Sequence, residues 1–290
     1  MNNIKMYSPR SLEELTAALS KATERSRIIA GGTDLTIAIH EGEACPDILI
    51  DVSRTAAMCD IAEYEEEDKI TIGGAVTFTE MENDPLIKKY FFSLQSAASG
   101  VGSKQIRNCG TIGGNLANAS PAGDMMPPLA ALDARVVIIN AKGEETRRTV
   151  KEIVSPESPA KLKFDEAIIR IEIPKPREGN VNLFAKLGSR RAVSIARLSA
   201  ALSAEFHNGV ITAPVVILGA LGKAPVDARI SASAIDGVLL TEKTKIRFAE
   251  AMTKEVDLAI PGRYSQPYKR EAVKGLALDL LSPLSCPGIN

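Results

Sequence analysis

Two short stretches carry residue types able to hold an anion: IIAGGTDL at 28–35 and CGTIGGN at 109–115. In each, glycines offer backbone N–H groups with no Cβ in the way, and a threonine hydroxyl, Thr33 or Thr111, stands beside them. Successive amides in a tight turn make a concavity suited to a phosphate or pyrophosphate. Asn115 adds a side-chain amide that can donate to the same oxygens. Asp124 is the kind of acid that accepts from ribose hydroxyls in dinucleotide sites. The second motif lies inside RNCGTIGGNLANASPAGD, 107–124, whose glycines, asparagines and proline predict a long loop rather than regular helix or a central strand. Its order is G-x-x-G-G, not the G-x-G-x-x-G of nicotinamide-binding folds. It is expected to lead into NLANASPAGD as a loop with two breakers rather than into a helix, and no Walker lysine follows. A Gly-Gly pair is more often a plain turn, so the residues alone suggest a diphosphate held by two separate loops without naming the ligand.

Other chemistries have less support. Cys45, Cys59, Cys109 and Cys286 are scattered, with no CxxC or CxH spacing to signal zinc or an iron–sulfur cluster in this chain. They are expected to be reduced and mostly buried thiols. His40 and His207 are the only histidines and stand far apart, which argues against a histidine metal site or triad. Trp is absent and aromatics make up 4%, too few for the stacking surface of a single-strand nucleic-acid binder. Lys+Arg, 35, balance Asp+Glu, 36, so no global charge draws the chain to nucleic acid or a membrane surface. No apolar run reaches the ~18 residues that span a bilayer. MNNIKMYSPRSLEEL lacks a signal-peptide core, and a cytoplasmic protein is expected.

These loops need a scaffold, and 290 residues make roughly two domains at about 100–200 residues each. SLEELTAALS (11–20) reads as a helix capped by Ser11, with Glu14 reaching back to close a capping box. RIIAGG reads as a short buried strand, DILIDVS (47–53) as a second, and KITIGGAVTFTEM (69–81) as a third that breaks at Gly73–Gly74. DPLIKKYFFSLQSAASGVG (84–102) reads as helix, with Pro85 in its first turn. RVVIIN and EAIIRIEIP are strand-like. The stretch from Asn182 to Leu221 reads as three strands with a hairpin at Asn208–Gly209, followed by helices over 241–257 and 267–284. The break at PKPREGN, 174–180, sets the expected domains at 1–176 and 177–290, a mixed α/β to α+β plan.

AGGTDL at 30–35 and IRNCGTIGGNLANASPAGD at 106–124 resemble the two flavin-binding motifs of the FAD (medium) subunit of molybdenum hydroxylases, the xanthine dehydrogenase and carbon monoxide dehydrogenase group. KLGSRRAVSIARLSAAL at 186–202 is similar to that family's third signature. The resemblance runs in order from near residue 5 to the last helix. It implies a two-part FAD-binding domain of the vanillyl-alcohol oxidase (PCMH-type) fold over 1–176, with subdomains of about 1–55 and 56–176. A C-terminal α+β domain with an antiparallel sheet and helices then follows over 177–290. Carried over by position, Ala30, Gly31, Gly32, Thr33, Asp34 and Leu35 form the first pyrophosphate loop, and Thr111, Gly113, Gly114 and Asn115 the second. Ser120 and Asp124 fall on the ribose and phosphate side of the adenosine half, and Lys186 reaches the flavin or its ribityl chain. Ala75, Ile106 and the segment around Leu132 are candidates for lining the pocket.

The resemblance further implies non-covalent FAD that takes electrons from [2Fe-2S] clusters on a small partner chain and passes them to NAD⁺ or another acceptor. Substrate is oxidised at a molybdopterin on a large partner chain, so no catalytic side chain and no metal ligand are expected here. Where some relatives carry an aromatic after the motif lysine, this chain has Val193 and Ser194. It also lacks the cysteine cluster by which certain relatives bind a further [4Fe-4S] centre. Arg190 and Arg191 read as surface ion-pairing residues, with steering of an acidic partner or pyridine nucleotide as the sharper alternative. Two other functions compete. One is a stand-alone flavin oxidoreductase of the same fold, which would want a residue over the flavin; His40 and His207 lie outside the motifs, and Cys109 inside one. The other is a flavin-free scaffold subunit, against which the intact Thr33, Thr111, Asn115 and Asp124 argue.

Overall fold

The computed structural model describes residues 4–155, 157, 162–190 and 193–284, so Arg191 and Cys286 lie outside the described residues. The chain opens with β1 (Lys5–Tyr7), α1 (Leu12–Leu19), β2 (Arg27–Ile29), α2 (Leu35–His40) and β3 (Ile48–Asp51). β4 (Ile61–Tyr64) and β5 (Lys69–Gly73) come next, then a run of short helices: α3 (Phe78–Asn83), α4 (Pro85–Tyr90), α5 (Phe92–Gly100), α6 (Lys104–Cys109), α7 (Ile112–Asn118) and α8 (Met126–Ala131). β6 (Arg135–Asn140), β7 (Glu145–Thr149), α9 (Val150–Val154) and β8 (Glu166–Pro174) follow. The C-terminal part holds β9 (Asn180–Gly188), β10 (Ala196–His207), β11 (Val210–Gly219), β12 (Val226–Asp227), α10 (Arg229–Ile235), β13 (Val238–Leu239), α11 (Glu242–Ala259) and α12 (Gln266–Leu281).

Two compact units divide these elements. The first comprises Met1–Leu86, Ser103–Ser120 and Asp133–Lys175; the second comprises Ile87–Gly102, Pro121–Leu132 and Pro176–Asn290. The first unit contains a parallel sheet in the order β1-β3-β2 and an antiparallel sheet in the order β4-β5-β8-β6-β7. Leu15 and Leu19 of α1 pack with Ile50 of β3 and with Val137, Ile139, Ala167 and Ile169 of β6 and β8, so one core joins both sheets. On the antiparallel sheet, Glu172 accepts from Arg147 at 2.9 Å and from Arg170 at 3.1 Å, with Lys69 at 3.4 Å. Burial works against its charge, yet the bonds from Arg147 and Arg170 win and hold its carboxyl down at about 2.

The second unit is a meander of β9, β10 and β11 extended by β12 and β13, all antiparallel. Asn208 and Gly209 have φ of 50° and 80°, the two left-handed residues a tight hairpin needs, where the sequence predicted them. Phe248, Met252 and Val256 of α11 and Val273, Leu276, Ala277 and Leu280 of α12 bury against Leu198, Ala200, Leu202 and Leu218. The antiparallel sheet with helices matches the expected C-terminal plan. Helices α5 and α8 also pack on this sheet although they come from the first half of the chain. Asn182 of β9 ties α4 and α5 in place: its Oδ1 accepts from Ser93 N and Oγ, each at 2.9 Å, and its Nδ2 donates to Tyr90 O at 2.8 Å.

Several local expectations are corrected. Residues 107–124 are not one loop: α6 ends at Cys109 and α7 occupies Ile112–Asn118, so the second motif does lead into a helix. Ser103 Oγ accepts from Ile106 N at 3.3 Å and Thr111 Oγ1 from Gly114 N at 3.1 Å, and these two caps offset the poor helical propensity of the glycines. Glu14 reaches the Arg10 N–H at 2.8 Å rather than that of Ser11. β2 is half-exposed rather than buried. Phe91, at φ −130° and ψ 66°, breaks the helix expected over 84–102 into α4 and α5. The thiols of Cys45, Cys59 and Cys109 are free but exposed, not buried. No described helix is long and apolar enough to cross a membrane.

Candidate functional site

In the first unit, a cavity of about 630 Å³ opens between the two glycine motifs. The first motif gives it Ala30, Gly32, Thr33, Asp34 and Leu35; the second gives it Gly114, with Ala117 and Asn118 one turn further along α7. That volume lies in the range of about 300–1,000 Å³ typical of sites for small molecules and cofactors. The strand β2 delivers the first motif and α2 carries it away. Gly32 sits at φ +69°, a left-handed turn that ordinary residues resist, and its carbonyl accepts from Thr36 Oγ1 at 2.5 Å. Thr33 Oγ1 donates to Asp34 Oδ2 at 3.3 Å, so these two side chains hold one another at the rim.

The motif glycines divide into two kinds. A Cβ on Gly31 would stand 1.8 Å from the Cys109 carbonyl oxygen, and one on Gly113 would stand 2.5 Å from that of Gly74. Both are small because backbone meets backbone: Gly31 lets the first loop touch the end of α6, and Gly113 seats α7 on the turn after β5. Gly114 differs, since its absent Cβ would meet only Thr111 Oγ1, at 3.0 Å, and it faces the cavity. Thr111 is buried and spends its hydroxyl on capping α7. Asn115 keeps a buried Oδ1 that has no hydrogen-bond partner among the described residues. Ala75 belongs to the apolar core and Ile106 lies exposed on α6; neither lines the cavity.

The far wall was not legible in the motifs. Leu162, Lys163, Phe164 and Glu166 line it, with Ile28 and Ile29 on the side of β2. Glu166 is fixed by Arg148, whose two nitrogens donate at 2.9 and 2.7 Å, and by the Lys163 N–H at 3.1 Å. Burial opposes its charge, but the Arg148 bonds prevail and keep its carboxyl below the usual glutamate value. These residues lie far along the chain from both motifs, and their types announce nothing. The cavity thus joins apolar walls, the backbone of a glycine turn, a threonine hydroxyl and the carboxylates of Asp34 and Glu166.

In the second unit, the structure brings together Asp124 and Lys186. Lys186 Nζ lies 2.5 Å from Asp124 Oδ2 and donates to the Gly100 carbonyl at 3.1 Å, with side chains only 14% and 6% exposed. Lys186 lies opposite Ser199 in the β9–β10 register, on the edge strand of the sheet, yet its side chain is buried. The Asp124 loop is pinned where Ala220 N donates to Pro121 O at 3.1 Å. Burial pushes the Asp124 carboxyl up to about 6 despite the attraction of Lys186. Its Oδ1 is buried and has no hydrogen-bond partner among the described residues, an acceptor awaiting a donor. Ser120, the last residue of its segment of the first unit, is half-buried. Among the described residues no group of three or more His, Cys, Asp or Glu is arranged to hold a metal ion.

With this geometry in hand, comparisons with known proteins are specific. Residues 2–176 match the family described as the FAD binding domain in molybdopterin dehydrogenase, and residues 184–284 match the CO dehydrogenase flavoprotein C-terminal domain. The nicotinate dehydrogenase FAD-subunit of Eubacterium barkeri is 32% identical over 295 residues, covering 98% of each chain. The xanthine dehydrogenase FAD-binding subunit of Escherichia coli O157:H7 is 24% identical over 261 residues, covering 89% of this chain and 88% of that one. A chain in the structure of quinoline 2-oxidoreductase from Pseudomonas putida 86 superposes with a TM-score of 0.86 at 23% identity, covering 97% and 96%, and shares the two-domain fold.

Proposed function

The chain belongs to the FAD-binding subunits of the molybdopterin dehydrogenase family, and from that premise we propose that it relays electrons from [2Fe-2S] clusters on a small partner chain to NAD⁺ or another acceptor. Substrate oxidation then falls to a molybdopterin-bearing large chain. The observation that carries the reading is the cavity shared by both glycine motifs: its walls fit an FAD diphosphate at Gly32, Thr33 and Gly114. Two orphaned buried acceptors, Asn115 Oδ1 and Asp124 Oδ1, are further places where a hydroxyl or amide of a bound group can donate.

Bound FAD supplies the reversible uptake of two electrons. The chain's own residues bind and orient it. The backbone at the Gly32 turn would hold the diphosphate, and Gly114 would leave it room because its own N–H already caps α7. Asp34 and Thr33 fix the rim, and Ile28, Ile29, Leu162 and Phe164 would shield a flat ring from water. Asp124 is assigned to a ribose hydroxyl through Oδ1, Ser120 to the same adenosine half, and Lys186 to the flavin side as a cation. The same reading divides the protein into an FAD-binding part up to about residue 176 and a C-terminal part from 177. Relatives named as subunits support a complex with the two partner chains. Exposed free thiols at Cys45, Cys59 and Cys109 favour a reducing compartment, the cytoplasm.

The test is the visible spectrum of the purified chain together with chromatography of the flavin released on heating. Flavin absorption with FAD in the supernatant supports the reading. A colourless chain that takes up no added FAD refutes it.

A further inference from the structure

The last helix opens on a surface whose charge is not balanced. Arg263 and Tyr264 stand in the turn before α12, and Tyr268 and Lys269 in its first turns. Lys269 is the anchored member: its ammonium donates to the Ala220 carbonyl beyond the end of β11, and its backbone N–H donates to Ser265 O at 3.0 Å. Ser199 pairs with Gly219 in the β10–β11 register, so Arg197, two residues before Ser199, falls beside the end of β11 where Ala220 receives Lys269, and Arg263 stands in the turn that leads into α12. Burial, and then Arg263 and Arg197, hold the Lys269 pKa below the usual lysine value. Arg197, near the start of β10, and Arg263 are both exposed, and neither has a carboxylate partner among the described residues. The first turn of α12 carries no acid. Asp257 of α11 is taken by Arg270 at 2.9 Å and Gln266 at 2.8 Å, and Glu271 by Lys274 at 2.7 Å. In a chain of net charge −1, three cations gathered without a counter-charge are a local feature, not a consequence of composition.

The same turn exposes apolar surface. Tyr264 is wholly exposed, Tyr268 is 52% exposed, and Leu258 at the end of α11 is 68% exposed. Exposed tyrosine and arginine with an aliphatic neighbour is the composition of protein-binding hot spots.

We infer that Arg197, Arg263, Tyr264, Tyr268 and Lys269, with Leu258, form a docking surface for another protein chain that presents a carboxylate-rich face. The inference rests on the reading above that this chain is one subunit of a larger complex. Charge decides the occupant. A second copy of this chain meeting through a two-fold axis would set the same cations against each other. A small anion would neutralise the cations but leave Leu258 and both tyrosines wet.

The test uses the full chain produced together with its partner chains. Arg197→Glu combined with Arg263→Glu is expected to weaken assembly roughly tenfold or more at about 0.15 M salt, and Tyr264→Ala to weaken it severalfold. In the free variant chains, melting temperature and flavin content stay at wild-type values. Phenylglyoxal is expected to modify Arg263 in the free chain and to be blocked in the assembly. Assembly within about twofold of wild type in both variants, or equal modification of Arg263 in both states, overturns the inference. So does a wild-type self-association that the charge reversal abolishes. Flavin content reads the proposed function separately: a flavin-free chain refutes that function, whereas a flavin-loaded chain whose assembly ignores the reversal refutes only the docking surface.

Discussion

Asp124 Oδ2 accepts from Lys186 Nζ at 2.5 Å, while the other oxygen of the same carboxylate is buried with no hydrogen-bond partner among the described residues. The pair joins a loop from the first half of the chain to a strand from the second. Half-satisfied, it costs the free chain stability, because an ionised carboxylate is held in a dry place with only part of its hydrogen bonding made.

The pH dependence of the flavin-free chain should report this. Asp124 titrates near 6 when folded against 3.8 as its ordinary value, so between about pH 4 and 6 the folded state binds more protons than the unfolded. Stability contributed by this group is therefore highest below its ordinary value, falls as pH rises to about 6, and is flat above. The stability of wild type relative to Asp124→Asn should drop by roughly 2–3 kcal/mol across that window in urea titrations. A difference that does not change between pH 4 and 7 would refute the assignment.

Removing the cation instead isolates the other half of the pair. Lys186→Met leaves a buried carboxylate alone and should cost about 3 kcal/mol at neutral pH. The cost should shrink as Asp124 takes up a proton on acidification. Chemical denaturation of the variant at two pH values checks the direction.

The two kinds of glycine make opposite predictions. Gly31→Ala drives a methyl into the Cys109 carbonyl, and the variant should be poorly folded whether or not FAD is present. Gly114→Val meets only a hydroxyl, so the chain should stay folded by circular dichroism while its FAD affinity falls by roughly tenfold or more. Wild-type affinity in a folded Gly114→Val would remove the second motif from the site.

Glu172 offers a test of the scaffold alone. Its carboxyl is held at about 2, so its contribution is fully present above the ordinary value of 4.5 and is lost only as pH falls through about 2. Glu172→Gln should lower stability by about 1–2 kcal/mol at pH 7 because Arg147, Arg170 and Lys69 are left facing one another. Flavin content should be unchanged.

Thiol chemistry separates the exposed cysteines. Burial and then Glu80 raise the pKa of Cys59, and its Sγ donates to the Thr55 carbonyl at 3.3 Å. It should react with a disulfide reagent more slowly than Cys45 at pH 8, as mass mapping of the labelled peptides would show.

Much of the fold was legible because its signals are local. Ser11 caps α1 as read, and the Asn208–Gly209 turn, β6, β8, α11 and α12 follow periodicity and turn chemistry. The failures are also local in origin. β1, β4 and β7 are short or charged strands held by their partners rather than by their own pattern: β1 pairs with the distant β3, β4 with the next strand β5, and Glu145–Thr149 has no apolar alternation and is a strand because β6 lies beside it. The helices within 104–118 were hidden because glycine propensity argues against them, while the Ser103 and Thr111 caps and the close seat of Gly113 on Gly74 argue for them. In the site, the motifs marked the two glycine loops, but Leu162, Phe164 and Glu166 carry no marker that one chain can show. The Asp124–Lys186 bond spans 62 positions and was likewise out of reach of spacing arguments.

The backbone passes from one compact unit to the other after Leu86, Gly102, Ser120, Leu132 and Lys175. No single cut therefore yields either unit as one continuous peptide. A chain still on the ribosome has made α4, α5 and α8 well before β9 exists, so Asn182 is not yet there to accept from Ser93 and donate to the Tyr90 carbonyl. The buried faces of Leu94, Ala97 and Leu129 must wait in the open until the C-terminal sheet emerges. Synthesis order and folding order are thus opposed in this protein, and chaperone demand should be set by the delay between residue 132 and the completion of β11.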